Sequence, residues 1–228
     1  MDWFSAALKG ARTLRAPFLH SQLSCVLPAD LHQDMLQFFP QQQDMFLVGK
    51  GARDKGIRHH LFLNERLEQQ ISNQRAADFW LSFWHAVHQQ AANIKKQAIQ
   101  YFEHWQLFPG IHPSEIKLGV RLVDESLPYT MAPHIDQAFK LAVMVVYLHS
   151  DELMFSQGTQ LYNKQENDSL SAVSALPFEP NAGVFMPRVR NSWHGGHWSG
   201  YGHRKTLHFY FFKAQGEGQQ QHISPVYF

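Results

Sequence analysis

Pro133-His134-Ile135-Asp136 is the stretch on which the reading of this chain turns. In an extended segment successive side chains point to opposite faces, so His134 and Asp136 lie on one face with a single residue between them. An imidazole and a carboxylate placed this way supply two of the three ligands of a 2-His-1-carboxylate metal site. The candidate for the third is His194, in Asn191-Ser192-Trp193-His194-Gly195-Gly196, far downstream and separated from His134 by several predicted strands. A sandwich whose last strands fold back beside its first would bring it in. Ten residues beyond His194 stands Arg204, which opens the strand-like run Arg204-Lys205-Thr206-Leu207-His208-Phe209-Tyr210-Phe211-Phe212.

The pattern around these segments divides near residue 110. After it, short β-branched and aromatic runs predict strands over 116–123, 129–136, 139–149, 159–163, 170–178, 183–187 and 204–213. Turn residues separate them, among them Asp151, Gly158, Asn167-Asp168, Pro180-Asn181 and Gly195-Gly196. Before residue 110 the periodicity is helical. Phe79, Trp80, Phe83, Trp84, Val87, Ala91, Ile94, Ala98 and Tyr101 keep the three-to-four spacing of one buried face, predicting a helix over 75–102. Asp30, ahead of Leu31-His32-Gln33-Asp34-Met35-Leu36, reads as the N-cap of a shorter one. The expected fold class is therefore α+β: residues 1–110 form a mainly helical support and 111–214 a jelly-roll core. Residues 215–228 form a polar tail, and the whole is a single domain.

Composition narrows the chemistry. The chain has 228 residues with Lys+Arg 20, Asp+Glu 19 and a net charge of +1, which speaks against a nucleic-acid binder with a basic stripe. No window approaches the length of apolar sequence that spans a membrane. The opening MDWFSAALKGARTLRAPF lacks the continuous apolar core of a secretory signal. A single cysteine against 15 histidines excludes a disulfide framework or a CxxC zinc site and fits a reducing, cytoplasmic setting. It also directs attention to a metal held by imidazole and carboxylate. No G-x-S-x-G, Walker A or Rossmann glycine pattern is present.

Together, the H-x-D pair, a distant W-H-G-G and a strand-opening Arg resemble the non-haem Fe(II)/2-oxoglutarate-dependent dioxygenases, particularly their prolyl-4-hydroxylase-like branch. The resemblance covers roughly residues 117–213. It implies a double-stranded β-helix core with buttressing N-terminal helices, with Fe(II) on His134, Asp136 and His194. It also implies 2-oxoglutarate and O₂ as co-substrates, the far carboxylate of the keto acid meeting Arg204. Thr206 matches the hydroxyl of the family's Arg-x-Ser/Thr pair. Val146-Tyr147-Leu148 looks like the strand whose Tyr reaches the co-substrate, although Tyr147 reads equally as a core aromatic. Gly158-Thr159-Gln160-Leu161-Tyr162 looks like the family's Gly-Gly-Glu-Leu segment with the second Gly and the acid replaced. Halogenating relatives lack the ligand carboxylate, so Asp136 implies hydroxylation.

Other polar groups carry weaker signals. His85 and His88 read as a polar helix face, and His59-His60 as surface. His197 reads as loop surface, and Arg188 and Arg190 as a solvated rim. Arg121 and Tyr129 lie near the strand leading to His134, and Trp193 is expected as an aromatic wall beside the metal. His208 shares a strand face with Arg204 and Thr206. Three functions compete: a hydroxylase of a small molecule, a hydroxylase of a protein or peptide side chain, and a cupin-like metal-binding protein without oxygenase activity. Arg204 with Thr206 speaks against the last. The chain length leaves no separate peptide-recognition domain, which favours a small-molecule substrate, while the N-terminal helices offer a lid or a homodimer surface.

Overall fold

The computed structural model describes residues 2–48, 54–150 and 158–214; the polar tail and the turn at Asp151 lie outside them. The chain opens with α1 (Asp2–Lys9), β1 (Arg12–Leu14), β2 (His20–Leu23), α2 (Ala29–Gln37), β3 (Phe46–Leu47) and β4 (Asp54–Phe62). Three helices follow: α3 (Leu67–Gln70), α4 (Gln74–Gln89) and α5 (Ala91–His104). The second half is β5 (Ile116–His134), β6 (Lys140–Ser150), β7 (Gln160–Lys164), β8 (Leu170–Ala175), β9 (Gly183–Pro187), β10 (His194–Trp198) and β11 (His203–Lys213).

The strands pair in the order β1-β2-β9-β6-β11-β5-β10-β7-β8, with β3 and β4 added beside β5, and every pairing is antiparallel. β5 belongs to two surfaces. Its first part, through Ser126, pairs with β11, and its last part, from Tyr129 to His134, pairs with β10. The sheet is thereby divided into two faces, and the arrangement is a double-stranded β-helix.

Alternation along the central strands explains why they read as continuous apolar runs: both faces are covered. In β6, Ala142, Met144, Val146 and Leu148 pack with the helices, whereas Val143, Val145 and Tyr147 face the interior between the sheets. In β11, Leu207, Phe209 and Phe211 join the helical layer. Arg204, Thr206, His208 and Tyr210 alternate with them and so face inward. The helical layer is carried by Trp80, Phe83, Trp84 and Val87 of α4 and by Ile94, Ala98, Ile99 and Phe102 of α5. Each such buried side chain contributes on the order of 2 kcal/mol from area removed from water.

Three local expectations are corrected. The predicted helix over 75–102 is two helices, broken at Gln90, whose N–H donates to the carbonyls of Ala86 and Val87. Buried positions keep their spacing across the break, at Val87, Ala91 and Ile94, so periodicity alone could not reveal it. Asp30 is not the N-cap of α2; Pro28 occupies that position, and Asp30 lies in the first turn, where its charge complements the helix dipole. Finally, the region before residue 110 contributes four strands beside its helices. β4 escapes an apolar reading because the face it shares with Arg58 and His60 borders a polar cavity.

Candidate metal centre and its cavity

His134 ends β5 and His194 begins β10, and the two are register partners across that pair. Their ring centroids are 4.5 Å apart. One donor atom each from His134, Asp136 and His194 lies within 4.8 Å of the other two. Each imidazole is oriented by its own backbone. His134 Nδ1 is 3.0 Å from the Ala132 carbonyl and His194 Nδ1 is 3.0 Å from the Ser192 carbonyl. A carbonyl only accepts, so both Nδ1 atoms carry the hydrogen and both Nε2 lone pairs are left for a metal.

Charge states suit the same role. Burial, and then the neighbouring His194, hold the His134 imidazole down to about 4, so it is neutral near pH 7. Burial pushes the Asp136 carboxyl up, but Lys140, with its Nζ 2.5 Å away, and the two histidines bring it down to about 2. Arg188 Nε donates to the Asp136 carbonyl over 2.9 Å, which ties the segment after β5 in place. Two imidazoles and an anionic oxygen converging on one point form a donor set that fits a first-row divalent ion.

Behind the triad lies a cavity of about 110 Å³, with Arg204 on its wall. Arg204 is buried and forms an ion pair with Glu125, its direct register partner on β5. The Arg204 guanidinium also lies 4.2 Å from the Trp198 ring centroid and 5.0 Å from that of Phe178. The other Glu125 oxygen is 3.2 Å from Arg58 Nε, so one carboxylate serves two buried cations.

Thr206 and Tyr147 are register partners one step further along, and neither lines the cavity. The Tyr147 hydroxyl donates to Thr159 Oγ1 over 3.0 Å and accepts from the Thr159 N–H, and it is Thr159 that reaches the wall. Thr206 ends a hydrogen-bond chain whose direction can be assigned. Arg121 can only donate, so the Tyr210 hydroxyl accepts from it and passes its own hydrogen to His208 Nδ1, 2.7 Å away. His208 is held neutral by burial and by Arg121, Arg58 and Arg204. Its single hydrogen is then on Nε2, donated to Thr206 Oγ1 over 2.9 Å.

Gly195-Gly196, expected in a loop, lies within β10. The β10–β5 register shifts between His194 and Gly196, a bulge. A Cβ on Gly195 would come 2.6 Å from the Met131 carbonyl oxygen, and one on Gly196 would come 2.2 Å from the Trp198 indole. The first glycine thus lets β10 close on β5 beside the metal donors, and the second makes room for the ring that faces Arg204. Trp193 does not line the cavity; Trp198 supplies the aromatic wall instead. His197 is exposed, with its ring 2.7 Å from the Thr130 hydroxyl. Glu125, Arg58, Lys140 and Trp198 are the site groups that sequence reasoning missed, and Arg121 and His208, seen but unassigned, also line the cavity.

No family model matches the chain, and no curated protein matches it. Solved structures do. A Pseudomonas putida prolyl-4-hydroxylase is 14% identical, with 93% of this chain and 100% of that one covered at a TM-score of 0.55. Dioxygenase for auxin oxidation 1 from Arabidopsis thaliana, in a binary complex with 2-oxoglutarate, is 8% identical, with 86% and 84% covered and a TM-score of 0.52. A non-heme α-ketoglutarate-dependent epimerase of nogalamycin biosynthesis is 12% identical, with 98% and 91% covered and a TM-score of 0.52. The likeness extends over nearly the whole chain and shows that these proteins share its double-stranded β-helix fold.

Proposed function

We propose that this chain is an Fe(II)- and 2-oxoglutarate-dependent dioxygenase that hydroxylates a small molecule. The observation that carries this reading is the convergence of His134, Asp136 and His194 at a cavity with a buried guanidinium, Arg204, on its wall. The fold it shares with an oxygenase bound to 2-oxoglutarate supports it.

His134, Asp136 and His194 would hold the metal through two Nε2 atoms and one carboxylate oxygen. Bound Fe(II) supplies the positions for keto-acid chelation and O₂ activation, with 2-oxoglutarate leaving as succinate and CO₂. The remaining work belongs to the protein. Arg204 presents a planar fork of donors to the far carboxylate of the keto acid, an arrangement that fixes orientation as well as charge. Trp198 and Phe178 hold that fork in one plane, and Glu125 keeps it from being an isolated buried charge. Tyr147 and Thr206 act from behind the wall, through Thr159 and His208. At about 110 Å³ the cavity is of small-molecule size, the scale of the keto acid itself.

The test is anaerobic addition of Fe(II) and 2-oxoglutarate, followed by succinate measurement in air. A visible metal-to-ligand band is expected from the native chain and is lost in His134→Ala and Asp136→Ala. Arg204→Ala should retain the band at high 2-oxoglutarate but require at least ~10-fold more of it, the equivalent of one charge-assisted hydrogen bond. Absence of the band from the native protein would overturn the assignment.

A further inference from the structure

Arg58, Glu125 and Arg204 stand in one row across three adjacent strands. Glu125 of β5 is the register partner of Arg58 on β4 and of Arg204 on β11. Register partners share a face, and all three side chains reach the wall of the cavity behind the metal donors. Each is buried: Arg58 is 8% exposed, Glu125 1% and Arg204 5%. The carboxylate is divided between the cations, one oxygen 3.2 Å from Arg58 Nε and the other paired with Arg204 Nη1. Among the described residues no second carboxylate pairs with either guanidinium, so the row holds two positive charges and one negative.

Aromatic rings fix both cations in place. The Arg58 guanidinium lies 5.7 Å from the Tyr129 ring centroid, and that of Arg204 lies 4.2 Å from the Trp198 ring centroid. Tyr129 and Trp198 are themselves register partners on β5 and β10, stacked with centroids 5.7 Å apart. Arg204 Nε is buried without a hydrogen-bond partner, a donor that the fold leaves unused. The far carboxylate of a keto acid brings the negative charge that the row lacks. Without Arg58, Glu125 and Arg204 would already balance, and an arriving carboxylate would share one guanidinium with a like charge. Such repulsion is strong where water is excluded.

We propose that Arg58 is a positioning residue for the co-substrate: by holding Glu125 it leaves Arg204 with charge to offer the far carboxylate. The proposal rests on the dioxygenase reading above and adds to it a residue from the N-terminal half of the chain.

The test is a two-residue cycle, read by calorimetry as 2-oxoglutarate is titrated into the Zn(II)-loaded chain, so no turnover is needed. Arg58→Gln leaves Glu125 and Arg204 as a balanced buried pair, which keeps the fold. It should bind 2-oxoglutarate at least ~10-fold more weakly, as expected for one charge-assisted contact. Arg58→Gln combined with Glu125→Gln removes the competing carboxylate together with its partner. That double variant should return to within about threefold of the native affinity. A merely structural role for Arg58 predicts the reverse order, with the double variant the weaker binder. Zn(II) affinity should stay within about threefold throughout, since neither residue bonds to a metal donor. Native 2-oxoglutarate affinity in Arg58→Gln, a double variant no tighter than it, or a parallel fall in Zn(II) affinity would overturn the proposal. A native chain that takes up Zn(II) but no 2-oxoglutarate would instead overturn the dioxygenase reading, and the proposal with it.

Discussion

Glu125 and Arg204 are direct register partners on β5 and β11, and their side chains form an ion pair inside the sheet. Residues opposed in this way share a face, so the pairing of two strands alone brings the carboxylate to the guanidinium. Arg58 joins from β4, where it pairs with Glu125 on the other edge of β5.

Removing Glu125 strands two buried cations at once. Glu125→Gln should therefore cost about 3–5 kcal/mol of stability, the range for breaking a buried pair from one side. Urea unfolding of the metal-free variant against the native chain measures it. A loss below about 1 kcal/mol would mean that water reaches both guanidiniums.

Trp198 acts on Arg204 without touching the metal donors. Its ring centroid lies 4.2 Å from the guanidinium, and its indole N–H donates to the Gly158 carbonyl over 3.1 Å. Trp198→Leu should weaken 2-oxoglutarate binding by about tenfold, as expected for a desolvated cation–π contact of roughly 1–2 kcal/mol. Metal affinity should change little. Titrating 2-oxoglutarate into the Zn(II)-loaded variant separates the two.

Gly195 stands at the bulge beside His194. Gly195→Ala places a Cβ where the Met131 carbonyl oxygen already lies, at 2.6 Å, and must push β10 away from β5. Metal affinity should fall by at least ~10-fold because a displaced ligand no longer converges with the other two. A variant with native metal affinity would show that His194 is held by Ser192 and β7 alone.

Two histidines, His208 and the partly buried His60, shape the acid side of the stability curve. His208 and His60 are neutral in the fold, held below their ordinary value of 6.5 by burial and by Arg121 and Arg58. Above that value neither the native nor the unfolded chain carries the proton, and their contribution is fully present. Below it the unfolded chain takes up protons that the native state refuses, so stability falls with pH by up to about 1.4 kcal/mol per unit for each group. His208→Gln should be less stable near neutrality, having lost its two hydrogen bonds, yet show a shallower decline between about pH 6.5 and about pH 5. Urea midpoints across that range check it, and an unchanged slope would mean that His208 is not the proton acceptor excluded by folding.

What could be read from sequence follows the range of the interaction behind it. His134 and Asp136 were legible as a pair one residue apart, but the strand expected through 136 ends at His134, and Asp136 stands in the segment that follows, held there by Lys140 and Arg188. The run of β6 was legible because a strand covered by apolar groups on both sides is apolar throughout, and that of β11 because Leu207, Phe209 and Phe211 meet the helical layer. β10 was not, because glycines serve there to admit the Met131 carbonyl and the Trp198 ring, and no local signal distinguishes that from a loop. β4 was missed because its inward residues, Arg58 and His60, line a charged cavity and break the apolar alternation.

The sequence by itself therefore determined the chemistry on offer: imidazole and carboxylate rather than thiolate, a cation one strand beyond the distal histidine, and the face each side chain takes on its own strand. Tertiary structure alone decided which of these groups meet. Glu125 between two guanidiniums, Trp198 over Arg204, and Arg121 and Lys140 beside the metal donors all depend on strand register and on the bulge at Gly195. Register is set by pairing between segments far apart in the chain, and a slip of one residue turns every side chain to the opposite face.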